Sequence, residues 1–230
     1  MSLLVHFDRA NQLHSSEEGL NPSSYSIIME YYHNLITEKS FQILKDLRKK
    51  YQFVLIGGWA IFLYTKALKS KDIDLIVEFE ELEKLKNDFS VFKNERLKKY
   101  ETKIEEIDID IYLPFYSRLG LPVEEIKKYT QSQEGFIVAS PEILLVLKTY
   151  VFKQREASPK GRKDLLDIFS LLKNDIIDWQ KYQNFIKNYN LEKLNNDLNN
   201  LIKSAKPIAE LNLNEQSIAK LKKKILLNIL

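Results

Sequence analysis

Residues 53–79, FVLIGGWAIFLYTKALKSKDIDLIVEF, decide how this chain folds. Phe53-Val54-Leu55-Ile56 is a short, wholly apolar run, the pattern of a strand buried on both faces. Gly57-Gly58 turns that strand into a helical stretch, Trp59 to Ala67, and a second strand follows from Asp72 to Phe79. Two glycines between a buried strand and a helix let the backbone approach a ligand and aim free N–H groups at a phosphate. Along a strand, positions i and i+2 point the same way, so the carboxylates of Asp72 and Asp74 leave one face side by side.

Working outward, residues 1–22 are polar and turn-rich and read as a loose arm. From Ser24 to Lys50 apolar residues recur at helical spacing: Ile27, Ile28, Tyr31, Leu35, Phe41, Leu44 and Leu47. Downstream, a charged helix is expected from Glu80 to about Phe89, and a third strand from Lys103 to Leu113. That strand alternates, with Ile107, Ile109, Ile111 and Leu113 on one face and Glu106, Asp108, Asp110 and Tyr112 on the other. A helix near Val123–Tyr129 and a strand at Gly135–Val138 come next. Ser140-Pro141 and Ser158-Pro159 each pair an N-cap serine with a proline at the first helical position. From Asp178 onward the pattern is helical. The fold class is therefore α+β: a small mixed β-sheet core flanked by helices, with a helical C-terminal part. The expected domains are an arm at 1–22, a core at 23–140 and a helical domain at 141–230.

With 230 residues, 44% hydrophobic and 29% charged, the composition is that of a globular chain and excludes wholesale disorder. Cysteine is absent, which excludes disulfides, thiolate zinc sites and cysteine nucleophiles. The three histidines, His6, His14 and His33, lack metal-ligand spacing, which argues against a zinc centre or an imidazole base. Thirty-five basic and 32 acidic residues leave a charge of +3, which tolerates an anionic partner without demanding one. The longest apolar run, Phe53 to Tyr64, is broken by glycines and falls short of the roughly 20 residues a bilayer requires. With no signal-peptide pattern at the N-terminus, a soluble cytoplasmic protein is expected.

The candidate chemistry lies with the acids. Asp110, with Asp108 two residues behind it, offers on the third strand the geometry that Asp72 and Asp74 offer on the second. Clustered carboxylates repel one another unless a divalent cation sits among them, and hard oxygen ligands suit magnesium or manganese. Two such ions about 3.5–4 Å apart can clamp both oxygens of a phosphoryl displacement. The plainer reading is that alternating acids mark the wet face of a half-buried strand. Lys148 is the only charge between Glu142 and Lys153, so its stem lies among Leu144, Leu145, Val151 and Phe152. An ammonium there wants an anion, carboxylate or phosphate, unless it snorkels to water. Asp164 and Asp167 share a face near the start of the next helix.

The order strand, Gly57-Gly58-Trp59-Ala60, helix, Ser70-Lys71-Asp72-Ile73-Asp74-Leu75, then Ile109-Asp110-Ile111-Tyr112 resembles the nucleotidyltransferase superfamily that includes DNA polymerase beta, in its minimal form. Lys148 followed by Arg162-Lys163-Asp164-x-x-Asp167 is similar to the abortive-infection (AbiEii) type IV toxin nucleotidyltransferases. The resemblance covers about Val54 to Leu172. It implies transfer of a nucleoside monophosphate from an NTP to an acceptor hydroxyl, with release of pyrophosphate. Asp72, Asp74 and Asp110 would bind two Mg2+ (or Mn2+) ions, with Asp108 competing for the third place and Asp110 favoured there and as general base. Gly57, Gly58 and Ser70 would cradle the β- and γ-phosphates. Lys148 would be the phosphate lysine and Asp164 its partner ahead of Asp167, with Arg155 and Arg162 adding charge near the triphosphate. Trp59, directly after the glycines, is the aromatic to watch at the nucleotide, whereas Trp179 reads as packing and Lys222-Lys223-Lys224 as a solvated face. The implied acceptor is RNA such as a tRNA 3′ end, a protein or a small molecule, and a cognate antitoxin is an implied partner. Two alternatives remain: a non-catalytic nucleotide- or partner-binding protein on the same fold, and a helical nucleic-acid-binding or interaction protein.

Overall fold

The computed structural model describes residues 22–229. The expected arm, with His6 and His14, lies outside the described residues up to residue 21. Helix α1, Pro22–Lys50, starts at a proline, which is tolerated in a first turn, and ends on Arg48, Lys49 and Lys50, which complement the helix dipole. The chain divides into two compact units, 1–39 and 40–230, and the division falls inside this helix. In the first unit the described residues, 22–39, are helical throughout.

The second unit is built on a seven-stranded mixed sheet in the order β3-β4-β5-β2-β1-β7-β6. Its strands are β1 Val54–Ile56, β2 Ile73–Ile76, β3 Phe92–Asn94, β4 Lys99–Ile104, β5 Ile107–Tyr112, β6 Thr130–Gln133 and β7 Phe136–Ala139. The apolar β1 lies between β2 and β7 with all three residues buried, as its composition demands. It runs antiparallel to β2 and parallel to β7, and β2 runs parallel to β5. Helix α2, Gly57–Thr65, leaves β1 directly and stops where Lys66 takes a left-handed conformation at φ 54°. Helix α3, Phe79–Asp88, follows β2, and the one-turn helix α4, Val123–Ile126, precedes β6.

Three sequence expectations are corrected by the hairpins. The strand expected from Lys103 to Leu113 is interrupted at Glu105-Glu106, where Glu105 adopts φ 53° and the chain reverses from β4 into β5. Period-two alternation runs through such a turn without a break, and Glu-Glu carries no turn signal. Consequently Glu106 belongs to the turn and Lys103 to the neighbouring strand, opposite Asp108. The β3–β4 hairpin and β6 lie in polar sequence that periodicity does not mark. The β6–β7 turn, Glu134-Gly135, has φ of 49° and 80°, positive at both central residues as a tight hairpin requires.

After the sheet come α5 Pro141–Arg155, α6 Pro159–Lys173, α7 Trp179–Asn188, α8 Glu192–Ser204, a 3-10 turn at Ala209–Leu211, and α9 Glu215–Ile229. The two Ser-Pro starts differ. Ser158 caps α6 by accepting the Gly161 N–H at 3.1 Å, whereas the Ser140 hydroxyl is buried, has no hydrogen-bond partner among the described residues and does not cap α5. Gly161 lets α6 approach the end of α5, since a Cβ there would stand 2.3 Å from the Arg155 carbonyl oxygen. Helix α5 is buried from Pro141 through Thr149, Lys148 included. No helix among the described residues is long and apolar enough to cross a membrane.

Candidate active site

One row across the sheet assembles the acids. Ile56 at the end of β1 stands opposite Asp74 on β2, Asp74 opposite Asp110 on β5, and Asp110 opposite Glu101 on β4. Register partners project to the same face, and neighbouring strands lie about 4.8 Å apart, so Asp74 and Asp110 are adjacent acids. Burial first, then the negative charges of Asp110 and Asp72, push the Asp74 carboxyl up to about 6, against the opposing pull of Lys148 and Lys163. The Asp110 carboxyl is also raised, chiefly by burial, although Lys99 works against the shift. Lys99 Nζ stands 2.6 Å from Asp110 Oδ2 and 2.9 Å from Glu101 Oε1. Asp108 faces solvent and pairs with Lys103 at 3.0 Å, so of the two acids on β5 it is Asp110 that stands beside Asp74.

The expected three-carboxylate set is not closed. Among the described residues no three His, Cys, Asp or Glu side chains converge tightly enough to hold a metal ion. Asp110 is bonded to Lys99 of β4, and Asp74 rests against Gly57 at the end of β1. What does fit a magnesium or manganese ion is the donor chemistry. Two hard carboxylates stand on adjacent strands, each disfavoured as an anion chiefly by burial, and the charge of Asp72 acts on both.

The glycine turn meets this row. Gly57 has φ +70°, and a Cβ there would stand 2.0 Å from Asp74 Oδ2, so the carboxylate rests against bare backbone. A Cβ on Gly58 would stand 2.7 Å from Ser70 Oγ and 3.5 Å from Lys163 Nζ. Consecutive glycines thus abut first the acid and then a hydroxyl–ammonium pair. Gly57→Ala is expected to lose roughly 2 kcal/mol or more, from left-handed strain plus collision with Asp74. Thermal denaturation checks this, and a variant melting with the parent would refute the close approach.

Lys148 is fully engaged. Its ammonium lies 3.0 Å from Asp164 Oδ1 and 2.6 Å from Asp167 Oδ2, and both aspartate side chains are 1% exposed. Asp167, expected to rank behind Asp164, is the nearer partner. At 2.6 Å the two form a close ion pair. The two carboxylates hold Lys148 well above the ordinary lysine range despite its burial. Arg155 clasps Asp164 from the other side, Nε to Oδ2 at 2.7 Å and Nη2 to Oδ1 at 3.0 Å.

Two expected residues lie elsewhere. Arg162 points to Glu210 with three hydrogen bonds of 2.7–3.1 Å, at an exposed surface. Trp59 is core: it stacks on Phe41 at 4.8 Å, meets Phe62 edge-on at 5.4 Å, and donates its indole N–H to Ser40 Oγ at 2.8 Å. The face of α2 that carries Trp59 is packed against α1, which takes the aromatic into the core however close it stands to the turn. Two residues that the sequence reading did not promote belong to the site. Lys163 donates to Ser70 Oγ at 2.9 Å. Tyr112, two residues beyond Asp110 and on its face, has its hydroxyl pushed well above the phenol range by burial and then by Asp74 and Asp110. The signal for Lys163 was its i,i+4 spacing to Asp167; the signal for Tyr112 was its parity with Asp110.

No protein-family model and no curated protein matches the chain. Solved structures similar to it include an antigenic nucleotidyltransferase-like protein from Paracoccidioides brasiliensis, 16% identical over 82% of this chain and 92% of that one, with a TM-score of 0.45. ANT(2″)-Ia in complex with adenylyl-2″-tobramycin is 15% identical over 70% of this chain and 99% of that one, with a TM-score of 0.49. The Megavirus polyadenylate synthase is 16% identical over 81% of this chain and 41% of that one, with a TM-score of 0.40.

Proposed function

We propose that this chain is a nucleotidyltransferase that moves a nucleoside monophosphate from an NTP to an acceptor hydroxyl and releases pyrophosphate. The observation that carries the reading is the register that sets Asp74 beside Asp110 while Asp74 rests on the Gly57-Gly58 turn. That sets paired anionic donors next to the first-turn backbone N–H groups of α2, which have no partner within the helix, the combination a metal-complexed triphosphate needs. When bound, a magnesium or manganese ion would be held by Asp74 and Asp110, with Asp72 beside them, and would supply charge neutralisation at the reacting phosphate.

The acceptor oxygen attacks the α-phosphorus, and the bond from that phosphorus to the bridging oxygen of the β-phosphate breaks. Pyrophosphate leaves with the electron pair. The acceptor proton passes to the Asp110 carboxylate, whose raised affinity for protons suits a base. Gly57, Gly58 and Ser70 receive the phosphates, and Tyr112 remains protonated and able to donate. Lys148, locked to Asp164 and Asp167, directs a positive field at Asp74 and fixes α6 against α5. The acceptor class we propose is RNA, protein or a small molecule, in the setting of a toxin with a cognate antitoxin.

One observation favours a second reading, a nucleotide-binding module without turnover: Lys99 holds Asp110 in an ion pair that leaves the three-carboxylate set open. A single experiment separates the two. Each of the four α-labelled NTPs is incubated with magnesium, total cellular RNA and the protein, with an Asp72→Ala, Asp74→Ala double variant alongside. Label entering RNA or protein with the parent alone is the expected result. NTP-dependent thermal stabilisation without transfer would favour the binding module, and neither effect would overturn both.

A further inference from the structure

We propose that Lys163 is the side chain that grips the phosphate tail of the nucleoside triphosphate, an inference that rests on the nucleotidyltransferase reading. Lys148 and Arg155 face Asp164 and Asp167, two positive charges closed by two negative ones. Lys99 is held by Asp110 and Glu101, and Arg162 by Glu210. Lys163 is different. Its single hydrogen-bond partner among the described residues is the neutral Ser70 hydroxyl, and no carboxylate of the described residues stands within ion-pair distance of it.

The position of Lys163 matters as much as its freedom. Its ammonium lies beside the space that a Gly58 side chain would fill, and Ser70 Oγ borders the same space. The preceding residue, Gly57, abuts Asp74. A triphosphate whose reacting phosphorus stands over Asp74 and Asp110 must lead its remaining phosphates away from those acids. One residue along the glycine turn, it meets Lys163. A partly buried ammonium whose nearest carboxylates, Asp167, Asp72 and Asp74, act on it only from beyond ion-pair distance loses hydration and gains no direct ion pair in return. Burial, helped by the repulsion of Lys148, depresses the Lys163 pKa against the longer-range pull of Asp167, Asp72 and Asp74, whereas Lys148, with its two carboxylates in contact, is raised. An arriving phosphate supplies the missing anion and accepts charge-assisted hydrogen bonds from the ammonium.

A cation bound to the phosphate tail does not sense the base. Lys163 therefore contributes equally to all four NTPs and to inorganic pyrophosphate. The test is isothermal titration calorimetry of the full chain with magnesium pyrophosphate and with the magnesium complexes of ATP, GTP, CTP and UTP. Lys163→Met is expected to weaken pyrophosphate, and every NTP the parent binds, by about 10- to 100-fold. Lys163→Arg is expected to restore most of that loss. Lys160→Met, an exposed lysine less than one turn earlier, changes the net charge equally and is expected to stay within about twofold of the parent. The ligand-free melting temperature of Lys163→Met is expected at or above that of the parent, since an unpaired ammonium has been removed. Should Lys163→Met fold poorly, Lys163→Gln, uncharged but still a hydrogen-bond donor, carries the same expectation. Unchanged affinity, a loss confined to one base, or an equal loss in Lys160→Met would each overturn the assignment. Those outcomes leave the nucleotidyltransferase reading standing, whereas a parent that binds neither pyrophosphate nor any NTP ends both.

Discussion

Asp74→Asn is expected to melt higher than the parent at pH 7.5 and to transfer no nucleotide. The Asp74 carboxyl is raised to about 6 from an ordinary value of 3.8, by burial and by the charges of Asp110 and Asp72. Above both values the folded protein holds a carboxylate that the unfolded chain accommodates more cheaply. Two units at about 1.36 kcal/mol each make that penalty up to about 3 kcal/mol. As pH rises from about 4 to 6, the unfolded state releases this proton before the folded state does, so stability falls through that window. The parent therefore gains stability on acidification from pH 7 to pH 5 through this group, and Asp74→Asn does not share that part of the slope. For a chain of this length the neutral-pH difference corresponds to a shift on the order of 5 °C. Thermal melts of both proteins at pH 5 and pH 7.5 read the effect directly. A variant that melts below the parent at pH 7.5 would mean that Asp74 is a stabilising, paired carboxylate. Retained transfer would remove it from the chemistry.

The second large effect is expected at Lys148. Lys148→Ala leaves Asp167, 1% exposed, without its cation, and leaves Asp164 with Arg155 alone. Breaking one member out of a buried ionic cluster costs about 3–5 kcal/mol, because the surviving charge stays buried and unpaired. Adding Asp167→Asn to Lys148→Ala is expected to recover a substantial part of the loss, since the orphaned charge is then gone. Urea denaturation of the two single variants and the double variant completes the cycle. A cost below about 1 kcal/mol for Lys148→Ala, with no recovery in the double variant, would show that the cluster is solvated rather than closed. This separates Lys148 from Lys163: the first is expected to fail in stability, the second in phosphate affinity.

Local pattern made much of this molecule legible. Val54-Leu55-Ile56 is apolar at every position and lies inside the sheet, while the Ile107, Ile109, Ile111 alternation places Asp110 on the polar face of its strand. Gly57-Gly58 marks the turn, and its left-handed first residue explains why glycine stands there. Periodicity failed where chain reversal leaves it intact, at Glu105-Glu106, and where strands are polar, as in Thr130–Gln133. At the site, spacing named Asp72, Asp74, Asp110, Lys148 and the Asp164–Asp167 pair, whereas the family resemblance placed Arg162 near the triphosphate and left Lys163 unassigned. On α6 those two neighbours point about 100° apart, and the packing of that helix on α5 and α2 decides which one faces the glycine turn.

The sequence by itself therefore determined which side chains share a face of a strand or helix, because backbone geometry fixes those periods within a few residues. Only the tertiary structure decided which charges meet. Asp74 stands beside Asp110, Lys99 takes Asp110, Lys148 takes Asp164 and Asp167, and Lys163 is left to Ser70. Those pairings join residues 11 to 93 positions apart along the chain. Their energies depend on distance and burial in the folded state, and neither is encoded in local spacing.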